Sequence, residues 1–107
     1  MTSTVKNELD RIVSTLADTG IVSKIILFGS HASGEDGPGS DIDICVLTWV
    51  KDKHPIELIA EFRSRVRGVR TMPLDLLAYN QEHFYSIAER PMSFEHEIAK
   101  DGVLIYG

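Results

Sequence analysis

The chain has 107 residues, 43% of them hydrophobic and 25% charged, which makes one small domain over 1–107 with a modest core and no room for a second. Eleven basic against sixteen acidic residues give a formal net charge of -5, which argues against a basic surface coating duplex nucleic acid but leaves a small anion accessible through metal ions. Cys45 is the only cysteine, so a disulfide framework and a Cys-rich zinc site are excluded, a reducing compartment (by default the cytoplasm) is expected, and no apolar run suggests a membrane span or secretory signal.

Val5, Leu9, Ile12, Val13, Leu16 and Ala17 recur at helical spacing, which predicts an amphipathic helix over 4–18, with Gly20 placed to release it. Ile25 to Phe28 is a short apolar run rich in β-branched and aromatic residues, the pattern of a buried strand. From Gly29 to Ser40 there are four glycines, a proline and little to bury, which predicts a loop with room for one helical turn after Ser30. A strand pattern resumes over Asp41–Thr48. Pro55 suits a first helical position, and Ile56, Ile59, Phe62 and Val66 follow at helical intervals, predicting a helix over 55–67. A third strand is expected over Leu74–Tyr79 and a helical region over 81–101, divided by Pro91, which lacks a backbone donor. Gly102 precedes a last strand, Val103–Tyr106. This alternation predicts an α/β (α+β) domain, a mixed β-sheet with helices packed against it.

Three carboxylates are out of place in this pattern. Asp41 and Asp43 are two apart, so in a strand they project from one face while Ile42 and Ile44 take the other. Two like charges side by side are unfavourable without a cation, and an all-oxygen pair suits a hard divalent ion such as Mg²⁺. Asp75 lies inside another apolar run and supplies a third carboxylate if the two strands are neighbours. Taken alone, the pair reads equally well as a turn residue and a solvent-facing strand residue. Gly29 and Ser30, however, end the preceding strand, where backbone N–H groups and a hydroxyl can meet an anion. The spacing of Gly29 and Gly34 matches a P-loop, but Glu35 and Asp36 stand where Lys and Ser/Thr are required. Gly37 and Gly39 do not continue into a dinucleotide fingerprint, and no loop starting at Asp36 or Asp41 has the glycine of an EF-hand.

A strand ending in Gly29-Ser30, ten residues, Asp41-Ile42-Asp43 on the next strand and a later strand Asp resembles the signature of the polymerase-β-like nucleotidyltransferase superfamily. The string LFGSHASGEDGPGSDIDICVL is similar to its minimal nucleotidyltransferase branch, and EIAKDGVLIYG resembles the end of such domains. The resemblance implies transfer of a nucleoside monophosphate, AMP from ATP, to a hydroxyl, with release of pyrophosphate. It implies that Gly29 and Ser30 hold the nucleotide's β- and γ-phosphates, that Asp41, Asp43 and Asp75 are the catalytic residues and ligate two Mg²⁺ ions, and that Asp75 serves the acceptor side. It further implies a HEPN-type partner toxin, whose tyrosine accepts the nucleotide, and thus an antitoxin role. A binding antitoxin with a weakened site, or a transferase acting on a small molecule or RNA end, are the alternatives; the net charge makes RNA the least attractive.

The resemblance departs at Ser33, where many relatives carry an arginine. Arg63, Arg65, Arg67 and Arg70 could compensate but read more simply as a solvated, dipole-favoured helix end. His31 reads as a partly exposed loop residue, Cys45 as core, and Trp49 and Tyr79 as core or rim. His54, His83 and His96 lack metal-ligand spacing.

Overall fold

The computed structural model describes residues 2–35, 37 and 40–107. Thr2 caps the first helix, α1 (Ser3–Ala17), by accepting a hydrogen bond from the Val5 N–H at 3.2 Å. Val5, Leu9, Ile12 and Leu16 form its buried stripe. Strand β1 (Val22–Phe28) starts three residues before the predicted run. The polar pair Ser23-Lys24 interrupts the apolar pattern there, yet Val22 pairs with Thr48 and Lys24 with Leu47 across an irregular register. After Gly29 comes one helical turn, α2 (Ser30–Ser33), then β2 (Ile42–Thr48). Asp36, Pro38 and Gly39 of the predicted loop lie outside the described residues.

Helix α3 (Pro55–Val66) begins at the expected proline, with His54 Nδ1 accepting from the Ile56 N–H at 3.1 Å. Strand β3 (Leu74–Asn80) runs directly into α4 (Gln81–Ala88), capped by Asn80. The helical region breaks around Pro91 as predicted, and Ser93 caps α5 (Phe94–Asp101) before the last strand, β4 (Val103–Tyr106). Among the described residues no helix is long and apolar enough to cross a membrane.

The four strands make one mixed sheet in the order β3-β2-β1-β4. β1 runs antiparallel to β2 and β4, whereas β2 and β3 are parallel, joined by a crossover through α3. Helices α1 and α3 cover one face, where Ile12, Leu16, Phe62, Ile25, Leu27 and Ile44 interlock. The other face carries a smaller core in which Phe84 of α4 and Ile98 of α5 meet Ile26, Cys45 and Leu47. The fold is thus the mixed sheet and helix layers expected from the sequence.

A buried acid fixes the turn that leads into β3. Glu8 lies on the apolar stripe of α1 and is 0% exposed. Its Oε2 accepts from the backbone N–H groups of Thr71 at 2.6 Å and Met72 at 2.8 Å, and its Oε1 from the Thr71 hydroxyl and the Arg11 guanidinium. Burial alone would raise the pKa of this carboxyl, but the hydrogen bonds from Thr71, Met72 and Arg11 outweigh it and hold Glu8 below its usual 4.5. The Ile42 N–H donates to Pro73 O at 3.0 Å, so the starts of β2 and β3 are tied to the same segment.

Because Glu8 titrates lower in the folded chain than in the unfolded one, its contribution is present above pH 4.5 and lost as pH falls through its folded value. Glu8→Ala leaves buried N–H donors without an acceptor and is expected to cost about 3 kcal/mol, read by urea unfolding at pH 7. Glu8→Gln should lose less and show a shallower fall in stability below pH 4.5.

Candidate active site

Every residue of β2 is buried except Asp43, which is half-buried. A carboxylate at that position in an inner strand contradicts β propensity and has to be explained by its neighbours. The parallel register sets Asp43 opposite Asp75 of β3, and the antiparallel register on its other side sets it opposite Phe28, the last residue of β1. Both carboxylates project from the face that carries α4 and α5, since Asp43, Cys45 and Leu47 alternate with the buried Ile42, Ile44 and Val46 of the opposite core.

Gly29 follows Phe28 with φ 74° and ψ -155°, a conformation essentially reserved for glycine. A Cβ added there would overlap Asp43 Oδ2 and lie 3.0 Å from its carboxyl carbon. The glycine is therefore required twice, by its backbone conformation and by the carboxylate packed on it. Ser30 starts the single turn of α2, where Ala32 and Ser33 N–H groups both return to Gly29 O at 3.1 Å.

Burial raises the Asp43 pKa, and the hydrogen bond and negative charge of Asp75, together with the charge of Asp41, raise it further, to about 6; His31 opposes this weakly. Asp41 stands one residue before β2 and is exposed, near enough to Asp43 to act on its charge. Among the described residues no three His, Cys, Asp or Glu side chains gather closely enough to hold one ion. The facing pair Asp43 and Asp75 nevertheless fits a hard divalent cation. It offers oxygen donors only, and the repulsion that pushes Asp43 up is what a bound cation would relieve.

An open cleft of about 610 Å³ lies over this end of the sheet, bounded by Gly29, Ser30, Ser33 and Asp43 on one side and by Phe94, Glu97 and Asp101 of α5 on the other. The α5 residues carried no chemical signal in the sequence; their shared face shows only in the spacing 94, 97, 101, with Ile98 anchoring that face in the core.

His31 departs from its expected exposure. It is 7% exposed, and its Nε2–H donates to Ser40 O at 3.1 Å, tying α2 to the approach to β2. Arg63, Arg65 and Arg67 are exposed on or next to α3, which packs through Leu58, Phe62 and Val66 on the opposite face of the sheet, so they do not replace a cation at Ser33. Arg70 is exposed and donates to Met72 O. Cys45 is buried core, as expected, and Trp49 is exposed at the far end of β2 from Asp43. Tyr79 donates to Glu95 Oε2 at 2.8 Å, linking β3 to α5.

The family model "Polymerase beta, Nucleotidyltransferase" matches residues 10–107. The chain belongs to this nucleotidyltransferase family, and a transferase is what its family and fold support. Its fold is similar to that of a Sulfolobus solfataricus protein assigned as a nucleotidyltransferase, at 19% identity over 97% of this chain and 86% of that one, with a TM-score of 0.59. It is also similar to a chain in the structure of a toxin-antitoxin with AMP-PNP, at 23% identity over 94% of this chain and 73% of that one, with a TM-score of 0.51. No curated protein matches the sequence.

A carboxyl whose folded pKa is raised stabilises the fold fully below its unfolded value of 3.8, and that contribution is lost as pH rises through about 6. Without divalent metal at pH 7.5, Asp43→Asn should therefore raise stability by about 1 kcal/mol, roughly 5 °C in the melting midpoint. The gain should shrink towards pH 4 and be matched in the native chain by adding Mg²⁺. Gly29→Ala should lower the midpoint at every pH, because the strain of about 2 kcal/mol does not titrate.

Proposed function

We propose that this domain transfers AMP from ATP to a protein hydroxyl in a Mg²⁺-dependent reaction. The observation that carries this reading is the register that sets Asp43 against Asp75, with Gly29 packed on Asp43 at the mouth of the cleft. Asp41, Asp43 and Asp75 are assigned as ligands for two Mg²⁺ ions, and Gly29 and Ser30 as the seat of the β- and γ-phosphates. The metals would supply charge neutralisation at the attacking and leaving oxygens of an in-line displacement. The acceptor oxygen forms a bond to the α-phosphorus as the α–β bridge breaks and pyrophosphate leaves. The hydroxyl proton passes to Asp75, which faces solvent at the sheet edge.

The acceptor is assigned as a tyrosine of a HEPN-type toxin, which makes the domain a cytoplasmic antitoxin. Support comes from the fold shared with a chain in a toxin-antitoxin structure. A second reading is favoured by one observation, the absence of any Lys or Arg among the described residues lining the cleft. It is that the domain neutralises its partner by binding alone.

Calorimetry with ATP and Mg²⁺, followed by transfer of labelled AMP to the co-purified partner, tests the first reading. Asp43→Asn should lower transfer about a hundredfold or more and abolish protection from the toxin. Protection retained by Asp43→Asn would establish the binding reading instead.

A further inference from the structure

The cleft contains an aromatic ring that the phosphate and carboxylate chemistry does not use. Phe94 opens α5 and is 57% exposed, although it stands inside the concavity beside Gly29 and Asp43. Its ring meets Phe28 edge to face, with centroids 5.7 Å apart and an interplanar angle of 82°. That contact props the ring from one side and leaves the rest of it to the cleft.

The chain on both sides of Phe94 is held in place. Ser93 caps α5 by accepting from the His96 N–H at 3.0 Å, and its hydroxyl donates back to Ile87 O at 3.0 Å. The His96 ring reaches Ala88 O at 2.8 Å, and Glu95 accepts from the Tyr79 hydroxyl. Residues 93, 95 and 96 are thus tethered to α4 and β3, and Phe94 between them is presented without a large cost of ordering on binding. One and two turns further along the same face, Glu97 and Asp101 line the cleft. Ionised carboxylates accept hydrogen bonds and donate none, so a ligand edge beside them is favoured when it carries N–H donors.

We infer that Phe94 is the stacking platform for the nucleobase of the bound nucleotide, and that Glu97 and Asp101 favour a base with an exocyclic amino group at that edge. This rests on the proposed nucleotidyl transfer, because it takes the phosphates to lie at Gly29 and Ser30.

Calorimetric titrations in Mg²⁺ with ATP, ITP and inorganic tripolyphosphate separate the two ideas. The native chain should bind ATP more tightly than ITP, which has a carbonyl where ATP has the amino group. Phe94→Ala should weaken ATP about tenfold and leave tripolyphosphate unchanged, while Phe94→Tyr keeps native affinity for ATP. Glu97→Gln with Asp101→Asn should narrow the preference for ATP over ITP. Unchanged ATP affinity in Phe94→Ala, or equal losses for ATP and tripolyphosphate, would overturn the stacking role while leaving the transfer reading in place. A native chain that binds neither ATP nor tripolyphosphate in Mg²⁺ overturns both.

Discussion

The candidate site depends on the parallel pairing of β2 with β3. A slip of one residue would turn Asp75 to the face covered by α1 and α3 and bring Leu74 or Leu76 up beside Asp43. Parallel neighbours cannot be set by a tight turn, so the register has to be fixed from elsewhere. Here α3 spans the crossover, Glu8 grips the backbone just before β3, and the Ile42 N–H bonds to Pro73 O. An acid buried in the first helix thereby governs where two acids on the opposite face of the sheet meet.

The same arrangement explains why the site is electrostatically unfavourable when empty of cations. Asp43 is half-buried, faces Asp75 and feels Asp41, and the cleft adds Glu97 and Asp101. An anionic nucleotide would be repelled by this surface, whereas a divalent cation would turn the repulsion into a binding energy for both. The tolerance of that strain in a chain with a small core follows from the two-sided burial of β1 and β2, whose Ile25, Leu27, Ile44 and Leu47 are almost wholly removed from water.

Much of this could be read from the residues. The acids inside apolar runs and the glycine at a strand end mark positions where local preference is violated, and the coordinates set Asp43, Asp75 and Gly29 side by side. Helix and strand order was equally legible, because Pro55, Pro91 and Gly102 punctuate a clean hydrophobic pattern. The start of β1 was hidden by Ser23 and Lys24, whose pairing is a tertiary fact. The burial of His31 depends on Ser40, nine residues away, and the role of Glu8 depends on Thr71, 63 residues away. Phe94 was invisible as a site residue, since only the packing of α5 onto β1 brings it to the cleft.

Cys45 lies two residues beyond Asp43 on the same face, fully covered by the layer that includes Phe84 and Ile98. Burial pushes its thiol well above the ordinary range, so in the closed fold it is inert towards alkylating reagents. Reagent can reach it only when α4 and α5 lift from the sheet. As the chain's one sulfhydryl, it makes the unmodified protein its own clock for that opening: the alkylation rate counts how often the floor beneath the carboxylates is laid bare.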